Sequence, residues 1–149
     1  MRKLLALLVT GAVIVLALSA LSAAASSKSI VWTAALSSGQ EVPKQVVKMA
    51  AAHGLFKGTV TGTTLKWKLT YAKLTGAATA AHIHMGAKGK AGNVIVPLCG
   101  AAPACKSGMT GTVTLTSALQ AAFKKHLLYV NVHTAKNPNG EIRGQLSAG

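Results

Sequence analysis

Three histidines in two short segments, His82-Ile83-His84 and Tyr129-Val-Asn-Val-His133, are the side chains of this chain best suited to chemistry. Neutral imidazole ligates copper, zinc or nickel through either ring nitrogen, and it titrates near neutral pH. Both segments alternate in the manner of a β-strand, so His82 and His84 project from one face. His133 lies on the face of Tyr129 and Asn131, opposite Val130 and Val132. If the two strands are neighbours, three imidazoles meet and can hold one transition-metal ion, copper first. The competing reading is that these rings donate hydrogen bonds to backbone and hold loops. His133, next to Thr134, suits a turn cap in the same way. His53 and His126 fall at loop and helix-end positions and are assigned no role.

Other routes to chemistry are poorly supplied. The chain contains two carboxylates, Glu41 and Glu141, and no Asp. Paired-acid hydrolysis would need those two to meet, and nothing in their positions suggests it. Glu141 and Arg143 share a strand face and suit pairing with each other or with a cross-strand partner. A Ser-His-Asp triad is excluded, and there is no G-x-S-x-G elbow, glycine-rich phosphate loop or zinc-protease motif. The expectation is a protein that is not an enzyme. Cys99 and Cys105, separated by Gly-Ala-Ala-Pro-Ala, are expected to form a disulfide in an oxidising compartment, with a thiolate copper(I) pair as the alternative.

The elements that must position these residues begin after a targeting segment. Arg2 and Lys3 precede an uncharged apolar run over 4–21, and Ala23-Ala24-Ala25 fits a signal-peptidase site. Residues 1–25 therefore read as a signal peptide cleaved after Ala25, which places the protein outside the cytoplasm. Retention as an anchor is the alternative, because the run reaches the lower bound of about 18 residues for a spanning helix. No second long apolar run follows, so no membrane span is expected after cleavage. Residues 26–149 carry a formal charge of +12, and 13 of their 14 basic residues are Lys. Lysines spread along the chain, with almost no Arg for bidentate phosphate contacts, argue against nucleic acid. The expected partner is an extracellular protein or an anionic envelope polymer.

Short alternating runs separated by turn signals predict an all-β domain of seven or eight strands, a β-sandwich or Greek-key barrel. Strands are expected at 30–36, 54–61, 65–71, 77–85, 94–98, 109–116, 127–134 and 141–146. Leu65, Trp67, Leu69 and Tyr71 alternate with Lys66, Lys68 and Thr70, so the two aromatics should anchor the core. The Gly-Lys-rich loop 86–92 reads as exposed and mobile. The period breaks at 117–126, where Ala118, Leu119, Ala122 and Phe123 predict a short helix with Ser117 as N-cap. Asn137-Pro138-Asn139-Gly140 marks a tight turn between the last two strands.

Four ordered motifs resemble the CHRD domain family, named for chordin and also found as small secreted bacterial proteins. They are the run Leu36 to Pro43 with Glu41, Ala80-Ala-His82-Ile-His84, Tyr129-Val-Asn131-Val-His133-Thr134, and Asn139-Gly140-Glu141-Ile-Arg143-Gly144-Gln-Leu. The resemblance covers residues 30–147, leaving 26–29 as a short lead. It implies a β-sandwich extracellular module of the small secreted single-domain type, with a binding or structural role and no established activity. The H-x-H strand is also similar to the copper-ligand strand of copper/zinc superoxide dismutases. Those enzymes use an Asp on zinc and an imidazole bridging two metals. The chain lacks that Asp, so a dismutase-like redox enzyme ranks below a copper-binding protein using His82, His84 and His133, with methionines as weak helpers.

Overall fold

The computed structural model describes residues 27–44 and 51–149. The signal peptide expected at 1–25 lies outside the described residues. Among the described residues nine strands and one α-helix follow in the order β1 (Ser29–Ser37), β2 (His53–Thr61), β3 (Thr64–Ala72), β4 (Ala78–Met85), β5 (Val94–Cys99), β6 (Met109–Thr114), α1 (Ser117–Lys124), β7 (Leu128–Thr134), β8 (Ile142–Gln145) and β9 (Ser147–Ala148), with a 3-10 turn at Ser38–Gln40. All pairings are antiparallel. The strands form one sheet in the order β5-β4-β7-β8-β1-β2-β3-β6, with β9 beside β1. The sheet curls into a nearly closed barrel, as the strand pattern predicts. The last expected strand, 141–146, is realised as β8, which pairs with β7 and β1; β9, just beyond it, pairs with β1 alone.

The alternation that marks β3 in the sequence is realised. Leu65, Trp67 and Leu69 are buried, and Lys66 and Lys68 are exposed. Trp67 stacks on Phe56 of β2, with ring centroids 6.2 Å apart. Tyr71 is only half-buried, at the margin of this core.

The helix packs over Trp32, whose indole meets Phe123 edge-on at 5.0 Å. Its N-cap is Thr116, not Ser117: the Thr116 hydroxyl accepts from the Leu119 N–H at 3.2 Å. That places the cap hydroxyl three residues before the donor, the geometry a capping Ser or Thr requires. Its C-terminus closes with paired bonds, Leu127 N–H to the Ala122 carbonyl and His126 N–H to Phe123. His126 holds the left-handed conformation there (φ 55°) that glycine more often occupies. Its ring then packs on Trp32 at 5.3 Å. Cys99 and Cys105 form the expected disulfide, tethering the end of β5 to the loop that follows.

Candidate metal centre

Strand β7 lies between β4 and β8, which makes neighbours of the two histidine segments. In this register His84 stands opposite Tyr129, His82 opposite Asn131 and Ala80 opposite His133. All seven residues of β7 are buried, because both of its faces are covered. Leu128, Val130 and Val132 face the apolar core. Tyr129, Asn131 and His133 face a polar layer roofed by the turn at 38–44, the loop at 86–92 and the turn at 134–141. On both sides of the His82-Ile83 step the register against β5 shifts, leaving Leu98 and Ile95 as extra residues on β5.

The three imidazoles gather there, the outcome that depended on the two strands being neighbours. One nitrogen from each of His82, His84 and His133 lies within 4.8 Å of the others. His84 and His133 are each 8 % exposed, and His82 is half-buried. His84 Nδ1 lies 3.0 Å from the Gly92 carbonyl and His133 Nδ1 3.0 Å from the Pro138 carbonyl. A carbonyl only accepts, so in both rings Nδ1 carries the proton and Nε2 keeps its lone pair. His84 Nε2 is buried with no hydrogen-bond partner. His133 Nε2 faces His82 Nδ1 at 3.1 Å, which makes His82 the donor of that bond.

Backbone bonds fix two of the rings, His84 and His133, as the loop-holding reading requires, and leave their Nε2 atoms free of backbone partners within the cluster. Metal-bound histidines are oriented in this way by partners on the far nitrogen. Burial lowers the pKa of all three; for His133 it falls to about 4, with His82 and His84 adding like-charge repulsion. The cluster is neutral at pH 7, the state in which imidazole ligates.

The surrounding layer explains most of the remaining motif residues. Arg143 lies over the Tyr129 ring at 3.5 Å, and Tyr129 stacks on His84 at 4.8 Å and 12°. Arg143 Nη2 also donates to the Lys90 carbonyl at 2.7 Å, and Tyr129 Oη bonds the Gly92 backbone. The loop 86–92 is exposed, as its composition predicts, yet its backbone is tied to the sheet at these points. Gly92 is required by close approach, because a Cβ there would lie 1.6 Å from the Met85 carbonyl oxygen. Glu41 accepts from Asn131 Nδ2 at 2.6 Å, and desolvation raises its pKa to about 7. Gly140 (φ 130°) passes so close that a Cβ would sit 2.5 Å from Asn131 Oδ1. Gly144 likewise lets β8 approach the Ala35 carbonyl of β1. Pro43 follows a cis peptide in the turn after Glu41.

Glu141 does not pair with Arg143. Its carboxylate accepts from the Thr75 N–H (2.5 Å), the Thr75 hydroxyl (2.6 Å), the Thr134 hydroxyl (2.5 Å) and Asn137 Nδ2 (2.9 Å). Burial alone would raise its pKa, but these bonds outweigh it and hold the group below the usual carboxylate range. Both carboxylates of the chain are thus buried in the polar layer, held by hydrogen bonds to neutral groups. Tyr129, Gly92, Thr75 and Asn137 belong to this layer, and the sequence assigned none of them a role at the site. For Tyr129 a signal existed, since it shares the alternation of Asn131 and His133.

A single disulfide-bonded antiparallel β domain, with a roofed polar face on one side of its barrel, defines the class of protein. The family model of the CHRD domain matches residues 32–146, and the chain belongs to that family. No curated protein and no solved structure matches the chain.

Proposed function

We propose that this is an exported CHRD module without enzymatic activity that binds one transition-metal ion, copper first, through His82, His84 and His133. The observation that supports it is the convergence of three neutral imidazoles, two of them with Nδ1 held by backbone carbonyls and Nε2 turned inward. Three nitrogen ligands suit copper or zinc and leave a coordination position open. Among the described residues no carboxylate belongs to the cluster. Export is supported by the basic start, the apolar run and the small-residue site before residue 26, and by the Cys99–Cys105 disulfide. Among the described residues no helix is long and apolar enough to cross a membrane.

Titration with Cu(II), Cu(I) and Zn(II) tests the reading. One equivalent of copper is expected to bind the wild type, and His84→Ala to weaken it by a hundredfold or more (about 3 kcal/mol for a lost ligand). His82→Ala and His133→Ala should follow. Equal, weak binding by all four proteins would end the metal reading. A dismutase assay on the copper-loaded protein is expected to give only background rates.

A further inference from the structure

The outer face of β2, β3 and β6 takes no part in the histidine layer. Lys66, Lys68 and Thr70 of β3 point away from the core, between Lys57 and Thr59 of β2 and Thr110 and Thr112 of β6. These side chains, with Leu55, line an open groove of about 720 Å³ that follows β3. Lys57 stands directly opposite Lys68, and Lys66 sits two residues along on the same face. Like charges directly opposite each other destabilise a sheet. The chain holds no side-chain carboxylate to relieve them: Glu41 and Glu141 are both buried in the polar layer described above. The fold thus keeps three cations side by side with no internal counter-charge.

We propose that this face binds an acidic polysaccharide laid along β3, with Lys57, Lys66 and Lys68 on its anionic groups and the threonine hydroxyls on sugar hydroxyls. The three lysine positions are spread over two strands, about 7 Å apart along β3 and about 5 Å across to β2. That arrangement fits an extended polymer and not a small anion. Threonine hydroxyls both donate and accept, as sugar hydroxyls do. A nucleic acid would call for exposed aromatic rings on which bases stack, and the one ring that lines this groove, Trp67, is only 6 % exposed. Its cations are all lysines, which lack the planar fork that grips phosphate bidentately. Leu55 is its one exposed large apolar side chain, too little to seat a lipid surface. The site is independent of metal at the histidines.

The test uses the full chain and a size-fractionated oligogalacturonate as probe. Lys57→Gln/Lys66→Gln/Lys68→Gln is expected to weaken binding about a hundredfold, each cation near an anionic surface contributing about fivefold. A charge-matched control, Lys28→Gln/Lys124→Gln/Lys125→Gln, should stay within about threefold of wild type if its losses are only long-range and screened. Thr59→Val/Thr112→Val should lose several-fold with all lysines in place. Lys57→Arg/Lys66→Arg/Lys68→Arg should retain binding, which separates loss of charge from loss of fold. Equal losses in the two lysine triples would overturn the proposal, because the lysine coat would then act without a site. Polyphosphate or duplex DNA of matched charge binding at least as tightly as the glycan would overturn it too.

Discussion

Strands β3 and β7 both sit inside the sheet, yet they bury their residues in opposite ways. β3 sends Leu65, Trp67 and Leu69 into the core and leaves Lys66 and Lys68 in solvent. β7 buries all seven of its residues, with Val130 and Val132 in the core and Tyr129, Asn131 and His133 beneath a second layer of backbone. A polar side chain in water needs no partner from the protein, while one that is buried must find each partner inside it. The outer face of β3 therefore tolerates almost any polar residue. The roofed face of β7 is specified atom by atom, and there the chain places its two carboxylates, its one folded-domain arginine and three of its histidines. The pKa shifts that are largest, for Glu41 and His133, fall on that side.

The sharpest way to break the contrast is Glu141→Gln. The carboxylate receives four hydrogen bonds from Thr75, Thr134 and Asn137, and an amide would turn a donor toward some of those donors. Unsatisfied buried groups and a lost charge-assisted set should lower stability by about 3–5 kcal/mol. Urea unfolding at pH 7 measures it; a loss below about 1 kcal/mol would show that the layer is not specified as described. The carboxylate's lowered pKa has a sign as well. Its contribution is present above the ordinary carboxylate range and is lost as pH falls through the folded value.

An effect of intermediate size comes from Glu41 and His133, which pull stability in opposite directions with pH. The folded state holds Glu41 protonated up to about pH 7, against an ordinary value of 4.5. Its contribution is therefore full below 4.5 and lost as pH rises through about 7. His133 is held neutral down to about pH 4, so its contribution is present above 6.5 and lost on acidification through about 4. The two slopes oppose each other between pH 4.5 and 6.5. Glu41→Gln keeps an acceptor for Asn131 and removes one slope. Relative to wild type, that variant should gain about 2–3 kcal/mol between pH 5 and pH 8. Parallel stability curves for the two proteins would mean that Glu41 titrates normally.

The same contrast decides what was legible in the sequence. A strand buried on one face announces itself by alternation, and β3 was readable to within a residue at each end. The His82–His84 pair was readable because two residues on a strand share a face whatever the fold. The meeting of those rings with His133 depended on β7 entering between β4 and β8, which no local signal encodes. Glu141 illustrates the limit: its strand position suggested Arg143 two residues away, whereas its donors include Thr75, 66 residues distant in the chain. Loop 86–92 looked free because its side chains are polar and small. Its backbone carbonyls are nevertheless held by Arg143 and Gln145, long-range contacts invisible to composition. The helix cap moved by one residue for a local reason, since Thr116 and Ser117 are both capping residues and only geometry chooses between them.

The smallest predicted effect lies on the outer face and carries the opposite sign. Lys68 stands across from Lys57 on β2 and across from Thr110 on β6, exposed on a surface with no carboxylate. Lys68→Gln removes one member of a like-charged cross-strand pair while keeping a long, flexible, polar side chain. It should stabilise the fold by a few tenths of a kcal/mol at low ionic strength. The gain should shrink toward zero in about 1 M salt, where charges a few ångströms apart in solvent are screened. Lys28→Gln, exposed at the start of the described chain, is the control and should show no salt-dependent gain of this kind. If Lys68→Gln instead destabilises the protein, or its effect ignores salt, the lysine stem is packing against its neighbours and the outer face is more specified than its exposure suggests.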